Sequence, residues 1–436
     1  MSMNLIEIIQ GRAFVNNKLM NITIYVRDGL VQKIELGSVP KIGSKILKLP
    51  LNYIILPGII DMHVHFRDWE LSYKETLSSG TAAAAYGGVV LGVDMPNTIP
   101  PLNSLSTIER RLHEAKNSIH IDYWIYSGIN QDLKEIDKIV RSRYVAGFKI
   151  YPEDLSLSIF EKALKIILAH NMLIILHPET HMSVEKCVFF DLGSRYVCRS
   201  LASMIESAMY VASIMRSVGA DRKSLHLTHT TYYDLILVAK DLGATCDTCM
   251  HYLLLNSDNE EYGCRYKVNP PLIPQVEQLK ILKALVNGLI NAITTDHAPH
   301  TLQDKMLPPM MCPSGIASIE YAFRLLFTYV IRGIMSLTRY VELTSRNPAL
   351  ILGLEHLWGS IEEGKLASFT IIDTKGYGRV DGPQYSKACC VGFEGREYEG
   401  EIAMTVVRGC IAYERGVGVH KCGSVVPLIT KLKSPT

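Results

Sequence analysis

Residues 54–66 read IILPGIIDMHVHF, an aliphatic run that ends in polar and aromatic side chains. A short apolar run of this kind is typical of a strand buried on both faces of a parallel sheet. Seven comparable runs follow it: GGVVLGVDMPN (87–97), IHIDYWIYSG (119–128), VAGFKIY (145–151), MLIILHPE (172–179), SLHLTHTT (224–231), GATCDTCMHYLL (243–254) and NAITTDHAP (291–299). Helix-length segments lie between most of them, for example 159–170 and 203–219. Eight βα units over about 270 residues predict an α/β protein with a (β/α)8 barrel, the TIM-barrel fold.

Both ends of the chain differ from the middle in their pattern of predicted secondary structure. The N-terminal part contains short strand-like runs with turn signals at Asn16-Asn17 and Asp28-Gly29. Past residue 350 the chain returns to short strand-like runs: SFTIID (368–373), AMTVVRGCIAY (403–413) and VVPLIT (425–430). We therefore predict one small β-sandwich assembled from both termini. The expected domains are 1–55 and 351–436 for the two parts of the sandwich, and 56–350 for the barrel.

Composition excludes several classes of protein. Hydrophobic residues make up 48% of the chain and charged residues 20%, which is typical of a globular core and not of a disordered chain. The net charge of +2 gives no indication of nucleic-acid or membrane-surface binding. No segment approaches the roughly 20 apolar residues that span a bilayer, and the start of the chain lacks a secretion-signal pattern. We expect a cytoplasmic protein.

The ten cysteines are expected to be reduced and buried, because the sequence shows no export signal. Cys246 and Cys249 have C-x-x-C spacing, and His251 follows them closely. A zinc or redox site would need a second pair or a suitable turn, and neither is present. Strand alternation would also put the two thiols on opposite faces. These observations favour a structural role over a metal site.

Side chains suited to metal binding stand at the ends of five of the eight runs. They are His63, His65, Lys149, His177, His229 and Asp296. In a (β/α)8 barrel the C-terminal ends of all strands converge on one mouth, where active sites are found. Histidines with purely structural roles would not be expected to occur at the same end of every strand. We therefore predict a metal site at the mouth of the barrel.

The spacing of these residues suits shared metal ions. His63 and His65 are two residues apart in a strand, so both imidazoles can point to one face. Lys149 cannot bind a metal as an ammonium ion, but between two cations a neutral amine could react with carbon dioxide to give a bridging carbamate. The alternative for Lys149 is a barrel-mouth lysine paired with a carboxylate. The alternative for Asp296 is a cap on the following helix.

Six motifs resemble, in order and spacing, those of the dihydroorotases within the amidohydrolase superfamily. They are PGIIDMHVHFRD (57–68), DMPNTIPP (94–101), VAGFKIY (145–151), HLTHTT (226–231), KVNPPL (267–272) and TTDHAPH (294–300). The likeness covers about residues 55–350 and continues weakly in NPALILGL (347–354) and GSIEEGKLASF (359–369).

The resemblance implies two zinc ions per chain and a role for each motif residue. His63 and His65 would bind the first ion, and His177 and His229 the second. Lys149, carboxylated on its side-chain nitrogen, would bridge the ions together with a hydroxide. Asp296 would be both a metal ligand and the general acid/base. The residues implied to contact the substrate are Arg67, Asn97 and His300, which would hold its carboxylate, and Asn269.

The implied reaction is the reversible cyclisation of N-carbamoyl-L-aspartate to dihydroorotate in pyrimidine biosynthesis. The bridging hydroxide would attack the ring carbonyl, and Asp296 would pass a proton to the departing nitrogen. The expected partner is a small-molecule substrate, with neither a nucleic acid nor a membrane involved. A homo-oligomer, or association with other pyrimidine enzymes, is compatible with this expectation.

Two rival interpretations remain. Hydantoinases, dihydropyrimidinases and allantoinases share the metal ligands but generally lack the arginine two residues after H-x-H, so Arg67 with Asn97 favours a substrate that carries a carboxylate. A non-catalytic relative that serves as a scaffold would usually have lost metal ligands, whereas this chain keeps all six. The chain departs from many relatives at three positions: Met250-His251 where they carry two histidines, Ile273 where they carry arginine, and Ala367-Ser368 where they carry Ala-Asp.

Overall fold

A computed structural model of the chain describes residues 5–37, 46–189, 191–259 and 263–431. The strands are β1 (Ile8–Val15), β2 (Lys18–Arg27), β3 (Leu30–Leu36), β4 (Ile46–Lys48), β5 (Tyr53–Pro57), β6 (Ile59–Val64), β7 (Val89–Asp94), β8 (Asp122–Ile125), β9 (Gly147–Ile150), β10 (Leu173–Leu176), β11 (Leu225–Leu227), β12 (Thr245–Cys249), β13 (Ala292–Thr294), β14 (Phe369–Arg379), β15 (Glu397–Val407), β16 (Cys410–Glu414) and β17 (Gly418–Val419).

The α-helices of the described ranges alternate with strands in the middle of the chain. They are α1 (Leu77–Tyr86), α2 (Leu105–Ala115), α3 (Leu133–Ser142), α4 (Phe160–Ala169), α5 (His181–Glu185), α6 (Arg195–Cys198), α7 (Leu201–Ser217), α8 (Tyr233–Leu242), α9 (Met250–Leu254), α10 (Gln275–Val286), α11 (Leu302–Lys305), α12 (Ala322–Ile331), α13 (Leu337–Val341), α14 (Asn347–Ile351) and α15 (Val426–Lys431).

Strands β6 to β13 form a closed parallel barrel, which confirms the predicted fold. Strands β6, β7 and β8 pair in one sheet, and β9 to β13 pair in chain order in another. A parallel bridge between Ser127 and Phe148 joins the two sheets on one side, and a bridge between Val64 and His297 joins them on the other. Each of the eight apolar runs contributes one of these strands. The mouth at their C-terminal ends therefore gathers residues from widely separated parts of the chain.

Several helices cover the barrel through apolar stripes of helical spacing. Helix α4 is an example, because its buried residues recur at intervals of three and four: Phe160, Ala163, Leu164, Ile167 and Leu168. These residues belong to the large core cluster that also contains the barrel strands. The predicted helices at 159–170 and 203–219 correspond to α4 and α7. Burial of this stripe holds α4 against the barrel wall on which the site is built.

The two termini form one nine-stranded sheet, which confirms a small β domain assembled from both ends of the chain. Its order is β17-β16-β15-β14-β5-β1-β2-β3, with β4 paired to β1. Antiparallel pairing of β14 with β5 joins the C-terminal part to the N-terminal part. The predicted turns are also confirmed: Asn16 and Asn17 connect β1 to β2 with φ of 50° and 62°, and Asp28-Gly29 connects β2 to β3.

The prediction that residues 425–430 form a strand is wrong. Val425 makes a single parallel bridge with Tyr123, and helix α15 begins at the next residue. Pro427 stands in the first turn of this helix, where the missing N–H of proline removes no helical hydrogen bond. The apolar run therefore packs as a short helix, and Val426 and Ile429 are buried in the main core.

The expectation that all ten cysteines are reduced is also wrong. Disulfide bonds join Cys187 to Cys198, Cys264 to Cys312 and Cys410 to Cys422. The paired Cα atoms lie 5.2, 6.2 and 5.7 Å apart, within the usual range for such bonds, and sequence spacing could not show this proximity. The free thiols Cys246 and Cys249 are buried, and burial raises the pKa of Cys246 to about 12. A metal ligand must be a thiolate, so this raised pKa is consistent with a structural role for Cys246.

No helix within the described ranges is long and apolar enough to cross a membrane.

Candidate active site

One cavity of about 310 Å³ at the mouth of the barrel is lined by every residue that the sequence singled out as a site candidate. Those ten residues are His63, His65, Arg67, Asn97, Lys149, His177, His229, Asn269, Asp296 and His300. They come from six barrel strands or the loops that follow them, and from the loop before α10. The structure therefore brings together residues that lie up to 237 positions apart in the sequence.

His63, His65 and Asp296 form a compact group that could hold a metal ion. Their ligand atoms all lie within 4.8 Å of one another, and all three residues are buried. Asp296 Oδ1 lies 3.2 Å from His63 Nε2 and 3.0 Å from His65 Nε2. Although burial opposes ionisation, His63 and His65 hold the pKa of Asp296 below its usual range. Two imidazole nitrogens and an ionised carboxylate are a donor set that suits zinc.

Hydrogen bonds at the far nitrogens orient both imidazoles. His63 Nδ1 lies 2.6 Å from Thr228 Oγ1, and His65 Nδ1 lies 2.7 Å from Asn97 Oδ1. An amide oxygen only accepts, so His65 donates from Nδ1 and its Nε2 keeps the lone pair that a metal needs. Partners of this kind fix the tautomer and ring orientation of histidine ligands.

Asp247, which was not predicted from the sequence, orients residues of the site through hydrogen bonds. Its carboxylate accepts hydrogen bonds from Thr228 Oγ1 at 3.0 Å and from the backbone N–H of His229 at 2.6 Å. His226 Nε2 lies 2.8 Å from it as well. The only sequence signal was a carboxylate in the middle of strand β12, whose other residues are uncharged threonines and cysteines. Such a residue must have partners when it is buried.

His177, His229 and Lys149 form the second half of the site. The ring centroids of His177 and His229 lie 4.4 Å apart, and His229 lies 5.2 Å from His63. His177 Nε2 donates to Glu179 Oε2 at 2.5 Å, which leaves Nδ1 of His177 as its lone-pair nitrogen. His229 has a φ of 41° and Asp296 a φ of 47°, an uncommon conformation for residues other than glycine that often accompanies functional sites.

Lys149 is the most unusual residue of this half. It is 1% exposed, and its Nζ has no hydrogen-bond partner in the described part of the chain. The alternative of a lysine paired with a carboxylate therefore does not hold. Burial lowers its pKa to about 8, so a substantial fraction of the amine is neutral near pH 8. A buried, unpartnered, nucleophilic amine among three histidines fits a group that becomes a carbamate ligand.

Arg67 is a buried cation in the lining of the same cavity. It is 8% exposed, its Nε has no hydrogen-bond partner, and it forms no ion pair with any carboxylate of the described residues. Arg67, Asp68 and Trp69 have successive φ values of 51°, 74° and 50°, held in part by the Asp68 carboxylate, which accepts from Trp69 N and Leu77 N. The strained turn thus directs a guanidinium without a counter-ion into the site.

His300 lies beside Arg67, and its tautomer can be assigned from its contacts. Nε2 lies 2.9 Å from the carbonyl oxygen of Ser314, which can only accept, so Nε2 carries the hydrogen. Nδ1 then accepts from Lys74 Nζ at 3.2 Å. Burial, together with the positive charges of Arg67, Lys305 and Lys74, lowers the pKa of His300. His300 is therefore neutral, and its N–H would have to leave Ser314 to reach a substrate.

Sequence reasoning also missed the two arginines that contact Asn269, Arg195 and Arg199, and the carboxylate that binds Arg199, Glu179. Glu179 follows His177 by two positions in H-P-E and could have been found by the same alternation that singled out His63 and His65. Arg195 and Arg199 lie in and directly after the short helix α6, which carries no motif, and only the structure shows that they contact Asn269.

Comparison with known proteins gives the family. A family model for dihydro-orotase-like proteins matches residues 52–161, and a model for the amidohydrolase family matches residues 201–412. The chain is 35% identical over 408 residues to a dihydroorotase of Saccharolobus solfataricus, covering 94% of this chain and 95% of that protein. It is 34% identical to a dihydroorotase of Sulfurisphaera tokodaii, with 96% and 100% covered.

Solved structures agree on the fold. An L-hydantoinase from Arthrobacter aurescens superposes with a TM-score of 0.88 at 22% identity, over 97% of this chain and 99% of that one. A D-hydantoinase from Thermus sp. gives a TM-score of 0.85 at 22% identity, over 96% and 98%. At this identity the likeness concerns the fold alone. The sequence relatives are the more specific finding, and by them the chain belongs to the dihydroorotase family of amidohydrolases.

Proposed function

We propose that this protein is a dihydroorotase, which interconverts N-carbamoyl-L-aspartate and dihydroorotate in pyrimidine biosynthesis. The observation that carries the proposal is Arg67, a buried guanidinium without a carboxylate partner that faces a cavity lined with metal-ligand side chains. A buried charge without a counter-ion is costly, and a substrate carboxylate would supply the missing partner. Guanidinium groups bind carboxylates through two parallel hydrogen bonds.

Asn97 supports the same end of the site. Its oxygen is occupied by His65, so the group it can offer to a substrate is its NH2 donor. Arg67 and Asn97 together would present only hydrogen-bond donors to the substrate at this wall. That arrangement favours a ring with an attached carboxylate, such as dihydroorotate, over the uncharged ring of hydantoin.

For the metals, we propose two zinc ions. His63, His65 and Asp296 would hold one, His177 and His229 the other, and carboxylated Lys149 would bridge them. Two such ions supply polarisation of a substrate carbonyl and activation of water. The fit rests on the unpartnered Nζ of Lys149 and the lone-pair nitrogens that Asn97 and Glu179 leave on the histidines.

Asp296 is the proposed proton carrier. Both of its histidine contacts are made by Oδ1, so Oδ2 is the oxygen available to take a proton and pass it to the ring nitrogen that departs. In the ring-closing direction the same oxygen would remove a proton from that nitrogen. Arg67 and Asn97 would meanwhile hold the carboxylate, and thus the ring, in one orientation.

Comparative turnover tests the proposal. We expect the purified, zinc-loaded protein to open dihydroorotate and to close N-carbamoyl-L-aspartate, with little activity on hydantoin or allantoin. Preference for hydantoin or allantoin would assign the chain to a different cyclic amidohydrolase activity. Less than one metal ion per chain together with no turnover of any of these rings would instead support a non-catalytic scaffold.

We also propose that the enzyme acts in the cytoplasm, where its substrate would be a small molecule. This location requires that the three disulfides persist in a reducing compartment, as they do in intracellular proteins of hyperthermophilic organisms. Fractionation of the source cells, with thiol trapping before lysis, tests both points. Recovery of the protein outside the cytoplasm would contradict the location.

A further inference from the structure

Two arginines that no motif contains lie against Asn269 at one wall of the cavity. Arg195 begins α6 and Arg199 follows its end, so they are separated by one helical turn and lie on the same side of it. They are 3% and 4% exposed. The disulfide from Cys198 to Cys187 anchors the segment between them.

The oxygen of Asn269 is the point on which these arginines converge. Asn269 Oδ1 accepts from Arg195 Nη2 at 2.6 Å, from Ser314 Oγ at 3.1 Å and from Arg199 Nη1. Three donors, two of them charged, saturate a carbonyl oxygen that has two lone pairs. They also fix which way the amide is turned, because the NH2 group would be repelled at this position.

Glu179 holds Arg199 in place. Its carboxylate accepts from Arg199 Nε at 2.7 Å and from Arg199 Nη2, and it accepts from His177 Nε2 at 2.5 Å. Glu179 is 0% exposed. Burial raises its pKa, but Arg199 and His177 outweigh burial and bring the pKa to about 2. One buried carboxylate therefore connects a predicted metal ligand to the guanidinium that orients Asn269.

We propose that Arg195 and Arg199 are positioning residues that hold the oxygen of Asn269, so that the NH2 group of Asn269 faces the cavity and donates to a carbonyl oxygen of the substrate. Among the described residues, the NH2 group of Asn269 has no hydrogen-bond partner, and Asn269 and Arg199 both line the cavity. A substrate group that meets this wall must therefore be an acceptor. In dihydroorotate, the ring carbonyl that is not attacked has this chemistry.

This inference rests on the proposed function for the identity of the substrate, but not for the orientation of Asn269. Ile273 stands where many relatives carry arginine, and it is 1% exposed and packed in the main core. No cation from that position reaches the cavity. In this chain, the cations beside Asn269 come from a different segment.

The test compares Asn269→Asp with Arg199→Met and Arg199→Lys at matched metal content. The aspartate keeps an oxygen for the three donors but removes the NH2 group, so the melting temperature should not fall. We expect KM to rise by about 10- to 100-fold, because a hydrogen bond to the bound ring is replaced by repulsion. Arg199→Met should also raise KM, and Arg199→Lys should recover part of the loss. Arg141→Lys, in an exposed pair with Asp137, is the matched control and should equal the wild type.

Wild-type KM in Asn269→Asp would overturn the proposal, as would an Arg199→Met variant that loses only thermal stability. The variants are assayed on whichever of dihydroorotate, hydantoin and allantoin the wild type opens. A wrong substrate assignment then changes the wild-type preference, whereas a wrong positioning role leaves the variants equal to the wild type. If none were opened, the proposed function would fail, and calorimetry of N-carbamoyl-L-aspartate binding to the same variants would decide the positioning role.

Discussion

Asn97 accepts a hydrogen bond from His65 Nδ1 at 2.7 Å, so a residue predicted to bind substrate also orients a residue predicted to bind metal. The predicted metal-binding and substrate-binding parts of the site are therefore not independent. The Asn97 oxygen serves the imidazole, and its NH2 group remains for the substrate carboxylate. Variants that separate these two roles should separate metal content from substrate binding.

Asn97→Ala and Asn97→Asp form such a pair. The alanine variant removes the acceptor for His65, and we expect metal affinity to fall by about 10- to 100-fold. The aspartate variant keeps the acceptor but sets a negative charge against the substrate carboxylate. It should retain its metals while KM for dihydroorotate rises by at least about 10-fold. Metal analysis and steady-state kinetics on both variants check this. Equal metal loss in the two variants would contradict the division of roles.

Asp247 should matter to the metal site although it does not line the cavity. Its carboxylate accepts from Thr228, the partner of His63, and from the backbone of His229. Asp247→Asn introduces an NH2 group where only acceptors fit, so we expect about a 10- to 100-fold loss of metal affinity. Competition with a chelator measures it. Asp241→Asn, at an exposed position on α8, is the control, and identical chelator curves for the two variants would refute the role of Asp247.

Lys149 should make metal loading depend on carbon dioxide. We expect the metal-free protein to bind zinc more slowly and less completely in buffer depleted of carbon dioxide, because the amine alone offers no bridging oxygens. In Lys149→Met, zinc binding should no longer depend on carbon dioxide, and kcat/KM should fall by at least about 100-fold. Lys162→Met, on the exposed side of α4, should behave as the wild type. If zinc uptake by the wild type did not depend on carbon dioxide, the result would argue against a carbamate.

His120 should contribute to the pH dependence of stability. Burial, together with the charges of Lys421 and His420, lowers its pKa from 6.5 to about 4, and its Nδ1 lies 3.2 Å from Thr81 Oγ1. The unfolded chain therefore binds more protons than the folded chain between pH 6.5 and 4. The stability that neutral His120 contributes is fully present above pH 6.5 and is lost as the pH falls through this window.

The matching measurement is chemical unfolding of the wild type and His120→Asn across that window. The free energy of unfolding of the variant should fall less steeply as the pH falls. The difference in slope should correspond to the uptake of up to about one proton on unfolding. Both proteins carry the same metal site, so its own pH dependence cancels in the difference. His113→Asn, on the exposed face of α2, should retain the wild-type slope, and a His120→Asn slope equal to the wild type would contradict the assignment.

The barrel and the six candidate metal ligands could be predicted because both follow from the apolar runs and their ends, whereas Arg67, Asn97, Asn269 and His300 were indicated by the motif resemblance alone. Apolar runs mark the strands, and the strand ends place His63, Lys149 and Asp296 at one mouth without any knowledge of contacts. The hairpin turns followed from Asn16-Asn17 and Asp28-Gly29, because local backbone conformation decides them.

What could not be predicted depends on contacts between distant segments. Asp247 acts through Thr228 and His229, which only the folded chain brings near it, and the same holds for the contact of Glu179 with Arg199. Arg199 lies at the junction of α6 and α7, where no period relates residue type to position. The disulfide between Cys264 and Cys312 joins two loops 48 residues apart, and helix α15 forms because its apolar residues pack on the barrel instead of in a sheet.

The most direct measurement is the turnover of dihydroorotate by the wild type and Arg67→Ala at matched zinc content. The hydrogen-bond partner of Arg67 among the described residues is His300, which is not a proposed metal ligand, so the variant should keep its zinc. We predict that kcat/KM falls by at least about 100-fold, because the charged fork for the carboxylate is lost, and that Arg67→Lys recovers only part of it. Unchanged turnover in Arg67→Ala, with full zinc content, would contradict the account.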